Sequence, residues 1–245
     1  MFAQALILED LIQDHQLEST LSHKKIGYYI GSFDPLHLGH EGVVKSVIDR
    51  KLCDYVIVCP AWGGDTYKNR TDVKIRLEMI FAAFKHNPHV IVTKLSPAEL
   101  QNALAVDNPR VTISGKPTVM NRFAGASYIG IIGSDVALDS LKPEFKKNAT
   151  VFMQGIKISE KYKENTIGGI MALPVTSFII AQRQGDILAP LKGHFARRII
   201  LDVLETPYPD VSSSKIKAML KEGKTLDNVI SPAVADLINK HNLFQ

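Results

Sequence analysis

His37 and His40 stand three residues apart in the run GSFDPLHLGH, Gly31 to His40, and that spacing puts two imidazoles on one face of a helical turn. Two imidazoles so placed can donate hydrogen bonds to a polyphosphate and stabilise the negative charge that builds up in phosphoryl or nucleotidyl transfer. Around them, Gly31 lets the backbone approach a ligand, Asp34-Pro35 reads as a turn, and Gly39, between the histidines, leaves room for the ligand. A strand–helix corner with two surface histidines is the plainer alternative, and either histidine alone would favour it. A second group lies near the end of the chain. In VSSSKIK, Val211 to Lys217, three hydroxyls (Ser212, Ser213, Ser214) and two cations (Lys215, Lys217) meet where a helix begins. Those serines can cap the helix or bind phosphate.

The histidine run follows an apolar strand-like segment, Ile26 to Ile30, and precedes Val43, Val44, Val47 and Ile48 at helical spacing. A strand-to-helix turn gathers unpaired backbone N–H groups and the positive end of a helix dipole, which favours anions. Further strands are expected over Asp54 to Cys59, His89 to Leu95, Tyr128 to Ile132, Ala149 to Met153, Thr176 to Ala181 and Ile199 to Leu204. Helices are expected from about Asp72, over Ser213 to Lys221 with Gly223 as its stop, and over Pro232 to Lys240. Phe2, Leu6, Leu8, Leu11, Ile12 and Leu17 fall along one side of a helix spanning residues 1 to about 20, docked ahead of the core. Residues 96–120, with three prolines and few periodic apolar positions, read as irregular. Alternating strands and helices with near-continuous apolar strands give an α/β fold, a doubly wound parallel sheet covered on both faces. Ligands in such folds bind beyond the carboxyl ends of the strands, where Gly31 to His40, Ala61 to Arg70 and Gly133 to Asp135 all fall.

The 245 residues are 45% hydrophobic and 22% charged, an ordinary globular composition long enough for a full core. A net charge of +4 suits an anionic small molecule and lacks the clustered basic residues of a nucleic-acid binder, so no nucleic-acid partner is expected. No run approaches the roughly 18 apolar residues of a membrane span. The first residues carry Glu9, Asp10 and Asp14 and no basic leader, so no membrane partner and a cytoplasmic location are expected. Cys53 and Cys59 fit neither a disulfide framework nor metal-ligand spacing and read as buried thiols, and no structural metal is expected. The N-terminal apolar face could also serve an oligomer contact, which leaves a homo-oligomer open.

GSFDPLHLGH resembles the GxFDPxHxGH signature of the nucleotidyltransferase superfamily, a relative of the HIGH motif of class I aminoacyl-tRNA synthetases. VSSSKIK resembles the I-S-S-T-x-x-R motif that closes the triphosphate site in its adenylyltransferases, with Ser214 where the family has Thr and Lys217 where it has Arg. Lysine keeps the charge but loses the bidentate fork. YIGIIGSD resembles the strand and G-(A/S)-D of bacterial nicotinate mononucleotide adenylyltransferases, and AQRQG, Ala181 to Gly185, resembles their x-x-R-P-G, with Gln184 replacing the proline.

That resemblance implies a Rossmann-like fold with an N-terminal helical extension (residues 1–24) and a nucleotidyltransferase domain (25–245). The implied reaction joins nicotinate mononucleotide to the adenylyl group of ATP, with Mg²⁺ accompanying the ATP. It implies catalytic roles for His37, His40 and Lys217, and ATP contacts from Gly31, Ser32, Phe33, Gly39, Gly133, Asp135, Arg183, Ser212, Ser213 and Ser214. It implies acceptor contacts from Lys68, Arg76, Thr118, Trp62 and Phe145, the last two as aromatics for a pyridine ring. Taken alone, Asp135 could equally be a helix N-cap, and Lys68 and Arg76 solvated charges. The sequence departs from the family at Ile30, where a glycine is usual, and over Gly115 to Phe123, where only Thr118-Val119 is familiar. The alternatives are another acceptor (nicotinamide mononucleotide, phosphopantetheine or a cytidylyl acceptor) and a non-catalytic nucleotide-binding protein.

Overall fold

The apolar run before the histidines forms a central strand, β2 (Lys25–Gly31), because its side chains are buried on both faces of a sheet. The computed structural model describes residues 4–61, 70–113, 116–139, 177–183, 185–189, 199–208 and 210–244. Around β2 lie β1 (Leu6–Ile7), β3 (Tyr55–Pro60), β4 (Val90–Val92), β7 (Ser127–Gly133), β8 (Ser177–Gln182) and β9 (Ile199–Glu205), in the order β1-β4-β3-β2-β7-β8-β9. Every pairing is parallel, with Tyr29 opposite Val58 on one side and Ile131 on the other. A separate antiparallel pair, β5 (Ala105–Ile113) and β6 (Lys116–Asn121), completes the strands among the described residues. From β2 the chain builds outward through β3 and β4, then returns to add β7 on the other side of β2. The order therefore reverses at β2, and the crevice beyond the carboxyl ends of β2 and β7 is the place where such folds bind ligands.

Successive strand residues point to opposite faces, so one strand feeds two cores. Tyr28, Ile57 and Cys59 pack with α1 (Leu8–Gln13), α2 (Leu17–Leu21) and α5 (Pro97–Leu104) on one face. Tyr29, Val56 and Val58 pack with α3 (Leu38–Asp49), α4 (Val73–Phe84) and two C-terminal helices, α7 (Ser213–Lys221) and α8 (Pro232–Lys240), on the other. The short α6 (Ser134–Asp139) follows β7 directly. Both cysteines are buried and free, and burial pushes each thiol up to about 12. Among the described residues no helix is long and apolar enough to cross a membrane.

Two expectations are corrected. Residues 1–20 are not one helix. Leu6 and Ile7 pair with Ile91 and Val92 at the sheet edge, and α1 ends where His15 turns left-handed (φ 55°) and the Gln16 amide bonds back to the Leu11 carbonyl. The helical spacing of the leucines arose because two short helices and an edge strand all face the same core. The described residues of 96–120 are not irregular but form α5, β5 and most of β6. Ser96 and Glu99 form a reciprocal capping box, the Ser96 amide donating to the Glu99 carboxylate at 2.8 Å, and Pro97 occupies the first turn where it costs no hydrogen bond. Pro109 falls within the register shift between Asn108 and Thr112, so the strand tolerates it. The strand expected over Ala149 to Met153 lies outside the described residues.

Candidate active site

A cavity of about 430 Å³ opens at the strand-order reversal, lined by Tyr29 to Asp34, the start of α3, the ends of β7 and β8, the loop after β9 and the start of α7. Its floor is the two histidines. The His37 and His40 rings stack, with centroids 3.7 Å apart and planes inclined by 28°. Phe33 meets His40 edge-on at 5.0 Å, and Tyr29 meets Phe33 edge-on at 5.3 Å. His37 is 3% exposed, and both its ring nitrogens, with Nδ1 of His40, are buried without a hydrogen-bond partner among the described residues. Burial, helped by the nearby Arg183 charge, pushes His37 down to about 3. Burial acts the same way on His40, reinforced by His37 and Arg183. Both imidazoles are thus neutral near pH 7, each with one N–H donor, and buried polar atoms without protein partners mark where a ligand would supply them.

The glycines hold this arrangement open. A Cβ on Gly39, which lines the cavity, would stand 2.9 Å from His37 Nδ1, so a side chain there would press on the His37 ring. A Cβ on Gly31 would stand 2.8 Å from the Phe33 ring, and Phe33 adopts φ 47° to bring that ring under His40. α3 starts at the cavity, its Leu38 amide bonded to the Val229 carbonyl at 3.0 Å, and Glu41 in the first turn accepts from Ser231 Oγ at 2.8 Å. The C-terminal helices therefore brace the helix that carries the histidines.

Charge enters from two sides. Lys217 Nζ sits 2.7 Å from Asp34 Oδ2, and Asp34, 4% exposed, also accepts from the Thr71 amide at 3.3 Å. Arg183 pairs with Asp135 at 3.3 Å, both half-exposed, a contact worth no more than about 1 kcal/mol at such a site. Beneath them the fully buried Ser134 hydroxyl donates to Asp186 and accepts from the Arg183 amide at 2.9 Å. At α7, Ser212 Oγ caps the helix by accepting from the Lys215 amide at 3.2 Å, and Ser213 Oγ donates to the Pro35 carbonyl at 3.1 Å. This second bond ties the C-terminal motif to the histidine loop.

Residues 28–219 match the cytidylyltransferase-like family. The chain belongs to this family. A protein of Fusobacterium nucleatum named probable nicotinate-nucleotide adenylyltransferase is 26% identical over 219 residues, covering 88% of this chain and 97% of that one. A protein of the same name from Neisseria gonorrhoeae is 25% identical over 231 residues, covering 91% and 99%. The nicotinic acid mononucleotide adenylyltransferase of Plasmodium falciparum, solved in complex with NaAD, superposes with a TM-score of 0.59 at 18% identity, covering 91% of this chain and 98% of that one. At that identity the likeness bears on the fold, and the cytidylyltransferase-like chain shares its doubly wound parallel sheet.

Within this cytidylyltransferase-like fold, His37, His40, Lys217, Gly31, Ser32, Phe33, Gly39, Gly133, Asp135, Arg183, Ser212, Ser213 and Ser214 all line the one cavity. Arg76 does not. It is 2% exposed, and its guanidinium donates to three backbone carbonyls, Thr71 (2.9 Å), Ser32 (2.7 Å) and Ala61 (2.9 Å). It is neither a solvated charge nor at the cavity wall; it ties the loops after β2 and β3 to the start of α4. Asp135 is not an N-cap but lies in the first turn of α6, and Gly133 leaves the space into which its carboxylate folds, where a Cβ would collide with Oδ1. Thr118 belongs to β6. Trp62, Lys68 and Phe145 lie outside the described residues. Tyr29, Arg70, Thr206 and Tyr208 also line the cavity without having been singled out. The signal available for Thr206 and Tyr208 was their place just after a strand's carboxyl end.

Proposed function

We propose that this cytidylyltransferase-like chain joins nicotinate mononucleotide to the adenylyl group of ATP, giving nicotinate adenine dinucleotide and pyrophosphate. The observation that carries the reading is the stacked pair of neutral histidines at the start of α3, His37 buried with neither ring nitrogen hydrogen-bonded and His40 half-buried with Nδ1 unbonded among the described residues, in a cavity that also receives Lys217 and Arg183. The names of the bacterial relatives, matched over nearly their whole length, support the adenylyl donor and the pyridine-nucleotide acceptor.

A phosphate oxygen of the acceptor attacks the α-phosphorus of ATP in line. One P–O bond forms as the bond to the bridging oxygen breaks, and that oxygen leaves with the pyrophosphate. No side chain in the cavity need act as a nucleophile, so the protein contributes position and charge stabilisation. Neutral His37 and His40 donate N–H groups to the triphosphate from positions that the fold already holds. Lys217 and Arg183 add the positive charge, and the serines at α7 the hydroxyls. Among the described residues no cluster of His, Cys, Asp and Glu forms a metal cage. Mg²⁺ bound with the ATP would be held by phosphate oxygens and water and would neutralise phosphate charge. A cytoplasmic location goes with this reading.

The test is pyrophosphate release with Mg²⁺ and ATP, and then CTP, against nicotinate mononucleotide, nicotinamide mononucleotide and phosphopantetheine. Release with ATP and nicotinate mononucleotide well above every other pair is expected. A better rate with nicotinamide mononucleotide, or release only with CTP, would overturn the assignment.

A further inference from the structure

Lys217 is held from two directions, and only one of them is polar. Its ammonium meets the Asp34 carboxylate at 2.7 Å, and on another side it lies over the Phe244 ring, 4.6 Å from the ring centre. Phe244 lies four residues after α8, and the turn that carries it is specifically built.

α8 closes in a Schellman motif. The Asn242 amide bonds to the Asn239 carbonyl at 3.2 Å, the Leu243 amide to the Ile238 carbonyl at 3.0 Å, and Asn242 takes the left-handed turn with φ 48°. A second left-handed residue, Phe244 itself at φ 65°, completes the reversal that brings the ring back toward α7. The end of α8 is pinned to α4, because His241 Nε2 lies 3.1 Å from Glu78 Oε2 and Lys240 lies 3.8 Å from the same oxygen. Leu243 and Phe244 pack against the core that also holds Val234 and Ile238.

A lysine needs such help more than an arginine would. Its ammonium is a compact charge on a four-carbon stem with no planar fork to fix direction, so holding it in one place costs rotamer freedom. A carboxylate alone would draw the charge toward Asp34. A ring on another side offers attraction without a competing anion and leaves N–H donors for phosphate.

We propose that Phe244 is a positioning residue for Lys217: the C-terminal tail presents its ring to the ammonium, and ring and Asp34 together aim the cation at the cavity. The proposal deepens the triphosphate-binding reading above and rests on it.

The test uses the full chain with Phe244→Leu, which keeps an apolar side chain but removes the ring, and Phe244→Tyr, which keeps the ring. In wild-type protein with ¹³C-labelled lysine, the Lys217 ε-methylene protons should be shifted upfield by the ring. Phe244→Leu should abolish the shift and Phe244→Tyr preserve it. Affinity for Mg-ATP by calorimetry, and kcat/KM if pyrophosphate is released, should fall about fivefold in Phe244→Leu. Phe244→Tyr should stay within about twofold of wild type. In a Lys217→Met background, Phe244→Leu should cause no further loss. An unshifted Lys217 signal, an unchanged Phe244→Leu protein, or the same loss with and without Lys217 would overturn the proposal. The spectrum and the ATP affinity need no acceptor, so a protein that binds ATP but transfers to none of the acceptors refutes the activity and leaves the tail's role to be decided by these two readouts.

Discussion

Replacing His37 by Asn removes a group that the fold keeps uncharged, and the consequence should be visible in stability against pH. In the unfolded chain this histidine titrates near 6.5; in the folded protein burial and the Arg183 charge lower it to about 3. Between those values the unfolded state binds a proton that the folded state does not. The contribution is therefore fully present above pH 6.5 and is lost as pH falls toward 3. Each pH unit in that window is worth at most about 1.4 kcal/mol, so acidification from pH 6 to pH 4 should cost wild type about 2 kcal/mol through this one residue. His40 acts in the same direction and stays in both proteins, as do the carboxylates; because His37 also helps to hold His40 down, the difference between wild type and His37→Asn reports His37 together with its effect on His40. Urea unfolding at pH 4, 5, 6 and 7 measures it. The two curves should converge on acidification by about 2 kcal/mol, whatever their offset at pH 7. Parallel curves would mean that His37 charges as readily inside the protein as outside, and the picture of a neutral donor would be wrong.

His40→Ala should lower turnover on the order of a hundredfold or more while the melting temperature stays near that of wild type; a fully active variant would remove the histidines from the reaction. Gly39→Ala should reduce turnover by about tenfold or more, because its Cβ would press on His37 Nδ1 from 2.9 Å, while helix propensity limits any loss of stability. Unchanged kinetics would show that the His37 ring yields freely. Arg76→Met should destabilise the fold by about 3 kcal/mol, since three buried carbonyls lose their donor, and Arg76→Lys should recover only part of that in urea titrations. Wild-type stability in Arg76→Met would refute its role as a tie between loops.

Much of this protein is local and therefore legible in its sequence. The strand, turn and helix around Gly31 to His40 follow from an apolar run, a glycine and valines at helical spacing, and α7 and α8 follow from Ser212, Gly223, Ser231 and Pro232 at their ends. The two stretches misread, residues 1–20 and 96–120, are those where several short elements share a core face or where prolines sit at permitted positions, so that periodicity alone misleads.

What residue order could not convey is which side chains spend their hydrogen bonds inside the protein. Arg76 reads as a free cation until the fold surrounds it with three carbonyls from separate loops, and only the fold shows that a side chain at Gly39 would collide with the His37 ring. Lys217 meets Asp34 across 183 positions of sequence, and Phe244 joins them from the chain's end. The reason is geometric: a parallel sheet delivers the carboxyl ends of all its strands to one edge, whatever their separation along the chain. The sequence by itself determined which residues could bind phosphate. The tertiary structure decided which of them face one cavity, and which are held behind it to keep the others in place.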